Sequence, residues 1–180
     1  MAASGDWVNP SEEYLAPRPE GSPDAWTGEA LRRGGKGSQR IIEVAEVEPQ
    51  QAVAEALRLG QSETVVVRRR VILLDDHPVE LVDSYFPAAI ARGTGLANQS
   101  KIPGGAVTLL AQLGYRAREI REDVMARMPT AAERELLVLG DAPVLILFRT
   151  VVSDTGAPME VTVMTTPAAG RRYSYQSLVG

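Results

Sequence analysis

Two hydrophobic rhythms alternate along this chain. Residues 40–47, 64–74 and 144–152 are rich in Val, Ile and other β-branched side chains, a composition that predicts strands. Residues 50–59, 106–113 and 131–139 carry apolar side chains at helical spacing. Each of these three stretches runs into a glycine, Gly60, Gly114 and Gly140. Pro49 suits the first turn of one helix, and the T-x-x-E spacing of Thr130 and Glu133 predicts a capping box at the start of another. The turns Asp76-His77-Pro78 and Asp154-Thr155-Gly156 each lead into a returning strand, which predicts two hairpins. A short helix over 26–33, capped by Asp24 or Thr27 and ended by Gly34, is too short to stand alone and must dock.

The pattern is written twice. Pro49, Ala52, Glu55, Leu57, Leu59 and Gly60 recur as Pro129, Ala132, Glu135, Leu137, Leu139 and Gly140. After a one-residue slip Val65, Arg70 and Asp75 match Val144, Arg149 and Asp154. A compensating slip then sets Pro78, Glu80 and Pro87 against Pro158, Glu160 and Pro167. Two copies of a strand–helix–hairpin unit imply a pseudo-symmetric α+β domain with about six antiparallel strands packed by helices. The segment with Pro103-Gly104-Gly105 and the following helix has no counterpart in the second copy.

Composition narrows the chemistry. A chain of 180 residues, 44% apolar, suits one globular domain, with residues 1–25 as a linker or N-terminal arm and 26–180 as the domain. No apolar run approaches the roughly 20 residues of a membrane span, and residues 1–10 lack a signal-peptide pattern, so a cytoplasmic location with no membrane partner is expected. With no cysteine and one histidine, His77, the chain has no thiolate site or multi-histidine metal centre, and no cofactor is expected. A net charge of −4 argues against direct gripping of DNA.

Candidate chemistry comes from positions where the copies agree or differ. Arg68-Arg69-Arg70 aligns with Leu147-Phe148-Arg149, and strand alternation puts Arg68 and Arg70 on one face. Such a pair can hold a carboxylate or phosphate, or can be neutralised within the fold by Asp83, Glu80 or Glu160. Glu80 and Glu160 are duplicated; they read either as pocket carboxylates or as cross-strand partners of arginine. The glycines before the 106–113 helix could offer backbone N–H groups to an anion. Tyr173 and Tyr175 read as pocket aromatics or as a plain terminal strand.

The series VVVRRRVILLDDHPVELVDSYFP from Val65, IPGGAVTLLAQLGY from Ile102 and ARMPTAAERELLVLGDAPVLILFRTVVSDTGAPMEV from Ala126 resembles the UTRA domain. That is the effector-binding and dimerisation domain of GntR-type transcription regulators of the HutC subfamily. The resemblance implies a chorismate-lyase-like fold, a small-molecule pocket beside the sheet and a homodimer. It also implies an anionic effector that modulates operator binding by a winged helix-turn-helix domain. Nothing in this sequence matches that DNA-binding domain, so the chain is expected to be either a fragment of a regulator or a free-standing sensor.

Carried over residue by residue, the resemblance places Arg68, Arg70, Glu160, Trp26, Thr27, Gly105, Val107, Asp83, Tyr85 and Thr166 at the effector site. Two departures matter. Gly105 and Val107 stand where sugar-phosphate binders have S-x-Y, and Val82, beside Asp83, stands where many have glutamate. A carboxylate metabolite is therefore expected before a phosphosugar. Arg68→Ala is expected to weaken effector binding with little loss of stability. The rival readings are a chorismate-lyase-type enzyme with Glu160 as acid, and a ligand-free dimerisation module.

Overall fold

Side chains with branched β-carbons crowd helices and suit the pleat, and the runs at 65–74 and 144–153 form long strands accordingly. The computed structural model describes residues 7–9, 14–19, 21–169 and 171–175. In chain order the elements are β1 (Trp7–Asn9), α1 (Ala25–Arg32), β2 (Gly37–Val47), α2 (Gln51–Leu57), β3 (Val65–Leu74), β4 (His77–Pro87) and α3 (Ala88–Ala91). After a 3-10 turn at Gly95–Ala97 come α4 (Ala106–Gln112), β5 (Ala117–Arg127), α5 (Ala131–Leu137), β6 (Val144–Ser153), β7 (Pro158–Pro167) and β8 (Arg171–Tyr173).

The expected six-stranded antiparallel sheet has the order β2-β3-β4-β7-β6-β5, which reads the same for either copy. At its centre Asp83 pairs with Val163, its own counterpart, so the pseudo-twofold axis passes between them. The symmetry extends to irregularities: a bulge at Ile72/Leu73 matches one at Val151/Val152. Helix α2 of the first copy packs on β7 of the second, and α5 of the second packs on β4 of the first. Neither copy can bury its apolar face alone, which is why two are fused.

One sheet face, carrying Val65, Val67, Tyr85 and Val161, is sealed by Val53 and Leu57 of α2. The opposite face is covered unevenly. Leu96 and Leu110 from the inserted segment pack on Val66, Phe86 and Met159, while Trp26 of α1 packs on Ile72, Leu147 and Met164. Gly37 is required where β2 passes under α1: a Cβ there would lie 2.8 Å from the Ala30 Cβ and 2.9 Å from the Trp26 indole nitrogen.

Several boundaries move for local reasons. Helices α2 and α5 stop at Leu57 and Leu137, ahead of Gly60 and Gly140, because Arg58 (φ 56°) and Val138 (φ 54°) take the left-handed conformation that closes them. The first hairpin turns at Asp75 and Asp76, both with positive φ, so His77 and Pro78 already belong to β4. His77 is exposed there, its Nδ1 lying 2.8 Å from the Asp75 carbonyl. The cap of α1 is Asp24, which accepts from Thr27 N–H at 3.0 Å. The arm expected over 1–25 also contributes structure: β1 pairs in parallel with β8.

Both bonds of the capping box form: Glu133 N–H donates to Thr130 Oγ1 at 3.2 Å, and Thr130 N–H donates to Glu133 Oε2 at 2.8 Å. Arg127 holds the Glu133 carboxyl far below the ordinary value, to about 2, against the weaker opposing effect of burial. Thr130→Ala is expected to cost about 1 kcal/mol and lower the melting temperature by about 3 °C. Thr130→Ser should cost little; equal losses for the two variants in thermal unfolding would refute the capping role.

Candidate functional site

The uneven covering leaves a cavity of about 160 Å³ on the pseudo-twofold axis. Its floor is the sheet face bearing Arg70, Glu80, Ser84, Arg149, Glu160 and Thr162. Alternation dictates this membership: on β4 residues 80, 82 and 84 face the cavity, and on β7 residues 160, 162 and 164 do so. The roof comprises residues 14–16 and 18, the start of α1 at 24–26 and the start of α4 at 104–107. Two polar contacts join the roof. Lys101 Nζ lies 2.7 Å from Asp24 Oδ2, and Arg18 N–H donates to Thr108 Oγ1 at 3.1 Å. Burial alone would raise the Asp24 carboxyl, but the bonds from Lys101 and Thr27 N–H bring it below its ordinary value.

Duplication supplies a quartet of charges around the axis: Arg70 and Arg149, Glu80 and Glu160. Two members are committed elsewhere. Arg149 Nε lies 2.5 Å from Glu122 Oε1 on β5, and Arg171 of β8 lies 2.6 Å from Glu80 Oε2. Burial raises the Glu80 carboxyl above its ordinary value despite the opposing charges of Arg171, Arg149 and Arg70.

The other two have neutral partners. Arg70 Nη2 donates to Ser84 Oγ at 2.8 Å and Nη1 to Gln39 Oε1 at 3.4 Å, while its buried Nε has no hydrogen-bond partner. Glu160, 7% exposed, accepts from Thr162 Oγ1 at 2.7 Å. Among the described residues neither forms an ion pair. Ser84 and Thr162, paired across the axis, stand 3.1 Å apart, so hydrogen bonds run from Arg70 through both hydroxyls to Glu160. Burial pushes the Arg70 guanidinium below its ordinary value, and the surrounding carboxylates, Glu160 foremost, oppose that. On the other side of the axis the counterpart positions are Val82 and Met164, which makes that part of the floor apolar.

Of the residues expected at the site, Arg70, Glu160, Trp26, Gly105 and Val107 line this cavity. The Trp26 indole is anchored by donating to the Leu73 carbonyl at 2.9 Å. The remaining five do not line it. Arg68 shares the sheet face of Arg70 but lies under the inserted segment, 3% exposed. There it donates to the carbonyls of Leu96 at 2.9 Å, Asn98 at 2.5 Å and Ser100 at 2.8 Å. Burial, with the nearby Arg70 charge, pulls its pKa down to about 10. Asp83 and Tyr85 have the opposite parity and lie on the other sheet face; Tyr85 packs with Val53 and Leu57 of α2, and Asp83 lies 3.3 Å from Arg69 Nε. The Thr27 hydroxyl donates to Asp24 Oδ2 at 3.0 Å, reinforcing the cap. Thr166 is fully buried and borders a separate cavity of about 130 Å³.

The sequence pattern assigns no site role to Ser84, Thr162 or Arg171, and Arg149, as a duplicated residue, reads as structural. Alternation along β7 puts Thr162 on the face of Glu160. Arg171 carried no local signal, because its partner Glu80 is 91 residues away.

These features define an α+β domain whose duplicated sheet carries a partly open, charged cavity. Residues 32–169 match the UTRA domain family, and the chain belongs to that family. It is 28% identical over 150 residues to an uncharacterised HTH-type transcriptional regulator of Streptomyces coelicolor, covering 81% of this chain and 55% of the relative. The chain thus spans about half the length of the curated relative it matches. The effector domain of PhnF from Mycobacterium smegmatis superposes with a TM-score of 0.74 at 16% identity, over 87% of this chain and 96% of that one. The C-terminal domain of the histidine utilization repressor from Pseudomonas syringae pv. tomato gives 0.67 at 19% identity, over 80% and 100%. These likenesses establish the fold. No described helix is long and apolar enough to cross a membrane.

Proposed function

We propose that this domain senses a small anionic metabolite in the cavity above β3, β4 and β7. As a homodimer it would pass occupancy to a DNA-binding domain. The carrying observation is Arg70: its guanidinium lines a cavity, retains an unbonded buried Nε and has only neutral partners. A buried cation with no carboxylate hydrogen-bonded to it is costly, and an incoming anion that supplies charge-assisted hydrogen bonds lowers that cost. The roof favours coupling, since residues 14–16 and 18, from outside the sheet, border the ligand space. A ligand that favours one roof arrangement shifts the domain's equilibrium by its differential affinity for the two states.

Thermal-shift screening against small carboxylates and phosphates tests this reading. A native-state ligand at about a hundred times its Kd stabilises by about 2.7 kcal/mol, a rise of several degrees. Arg70→Gln is expected to reduce affinity about 100-fold while the unliganded variant still melts cooperatively. Anion affinity unchanged by Arg70→Gln, measured calorimetrically, would refute the assignment.

A further inference from the structure

We propose that the ligand is a small zwitterion, with its anionic group on Arg70 and a protonated amine on Glu160. The inference rests on the sensor reading and adds the second pole. The duplication alone would make the quartet symmetric, with both arginines and both glutamates in equivalent settings. Two departures break that symmetry. Arg149 faces the carboxylate of Glu122, whereas Arg70 faces the neutral amide of Gln39. Glu80 is neutralised by Arg171, whereas Glu160 meets a hydroxyl. What remains is one guanidinium and one carboxylate, both buried, both facing the same cavity.

The floor explains why these two form no direct ion pair. Ser84 and Thr162 stand between them, and the three hydrogen bonds of 2.8, 3.1 and 2.7 Å run in one donor-to-acceptor direction. That relay holds the poles apart by at most about 9 Å, the reach of a short bifunctional molecule. A plain anion on Arg70 would satisfy the guanidinium, yet it would add a second negative charge near Glu160, whose hydrogen-bond partner is a hydroxyl. A ligand that also carries an ammonium group satisfies both poles and leaves no buried charge alone. A cavity of about 160 Å³ limits the enclosed part to a few carbons between them. Val82 and Met164 provide the apolar surface for those carbons.

The test measures affinity calorimetrically for γ-aminobutyrate, δ-aminovalerate and ε-aminocaproate, each against the matching carboxylate without its amine and against butylamine. At least one amino acid is expected to bind about tenfold or more tightly than its matching carboxylate. Glu160→Gln, nearly isosteric and able to keep the bond from Thr162, should erase that advantage and leave carboxylate binding equal or improved. Cooperative melting of the unliganded variant establishes that it folds. Equal affinity for amino acid and carboxylate, or a preference surviving Glu160→Gln, overturns the zwitterion. The sensor reading then stands so long as Arg70→Gln still abolishes carboxylate binding. Failure of every probe to bind the wild-type chain overturns both.

Discussion

Replacing Arg68 by alanine is expected to destabilise the domain by about 3 kcal/mol, lowering its melting temperature by about 6–10 °C. The side chain is 3% exposed, and its guanidinium bonds to the carbonyls of Leu96, Asn98 and Ser100. The Leu96 carbonyl belongs to the 3-10 turn and those of Asn98 and Ser100 to irregular backbone, so truncation takes a donor from several acceptors over the apolar cluster at Leu96 and Phe86. Arg68→Lys should recover only part of the loss, since an ammonium lacks the planar fork that spans Leu96 and Ser100. Urea unfolding with unchanged m-value measures the effect. A loss under about 0.5 kcal/mol, the size of an ordinary surface substitution, would contradict the role assigned here. This reverses the expectation drawn from the tri-arginine motif, in which Arg68 bound ligand and stability was spared.

Arg171→Met should be comparably damaging at neutral pH, by about 3 kcal/mol, because it strands Glu80 as a buried carboxylate. The cost is predicted to depend on pH in a defined direction. Burial already holds the Glu80 carboxyl above its ordinary value, and loss of Arg171 raises it further. A carboxyl raised in the folded state binds protons that the unfolded chain has released, so stability falls as pH climbs through the interval between the two values. The deficit of Arg171→Met relative to wild type should therefore shrink as pH drops toward and below about 4.5, as the raised Glu80 carboxyl becomes protonated in the folded state of both proteins. Denaturant titrations across pH measure this. A deficit constant between pH 4.5 and 8 would show that Arg171 stabilises the domain by something other than its charge beside Glu80.

The parts of the site that were legible share one property: they follow from period and repetition. Arg70 and Glu160 stand in duplicated positions on strands whose alternation can be counted. The expected residues that lie away from the cavity do so for identifiable reasons. Asp83 and Tyr85 sit one step out of phase with Glu80, so the pleat turns them to the helix-covered face. Arg68 is in phase, yet the 95–100 segment settles over it and leaves Arg70 alone beneath the open part of the roof. Of the two candidate caps of α1, Asp24 takes the position and Thr27 bonds to it.

The sequence by itself determined the two copies, the six strands, the capping box and the family, because propensity, periodicity and repetition are local properties carried along the chain. Only the tertiary structure decided which of the duplicated charges remain available. Arg149 is committed by Glu122 across a strand pair and Glu80 by Arg171 from the far end of the chain. Arg70 and Glu160 are left by their neutral neighbours. Whether a charge is paired depends on groups brought within a few ångströms by folding, and separation along the sequence carries no record of that distance.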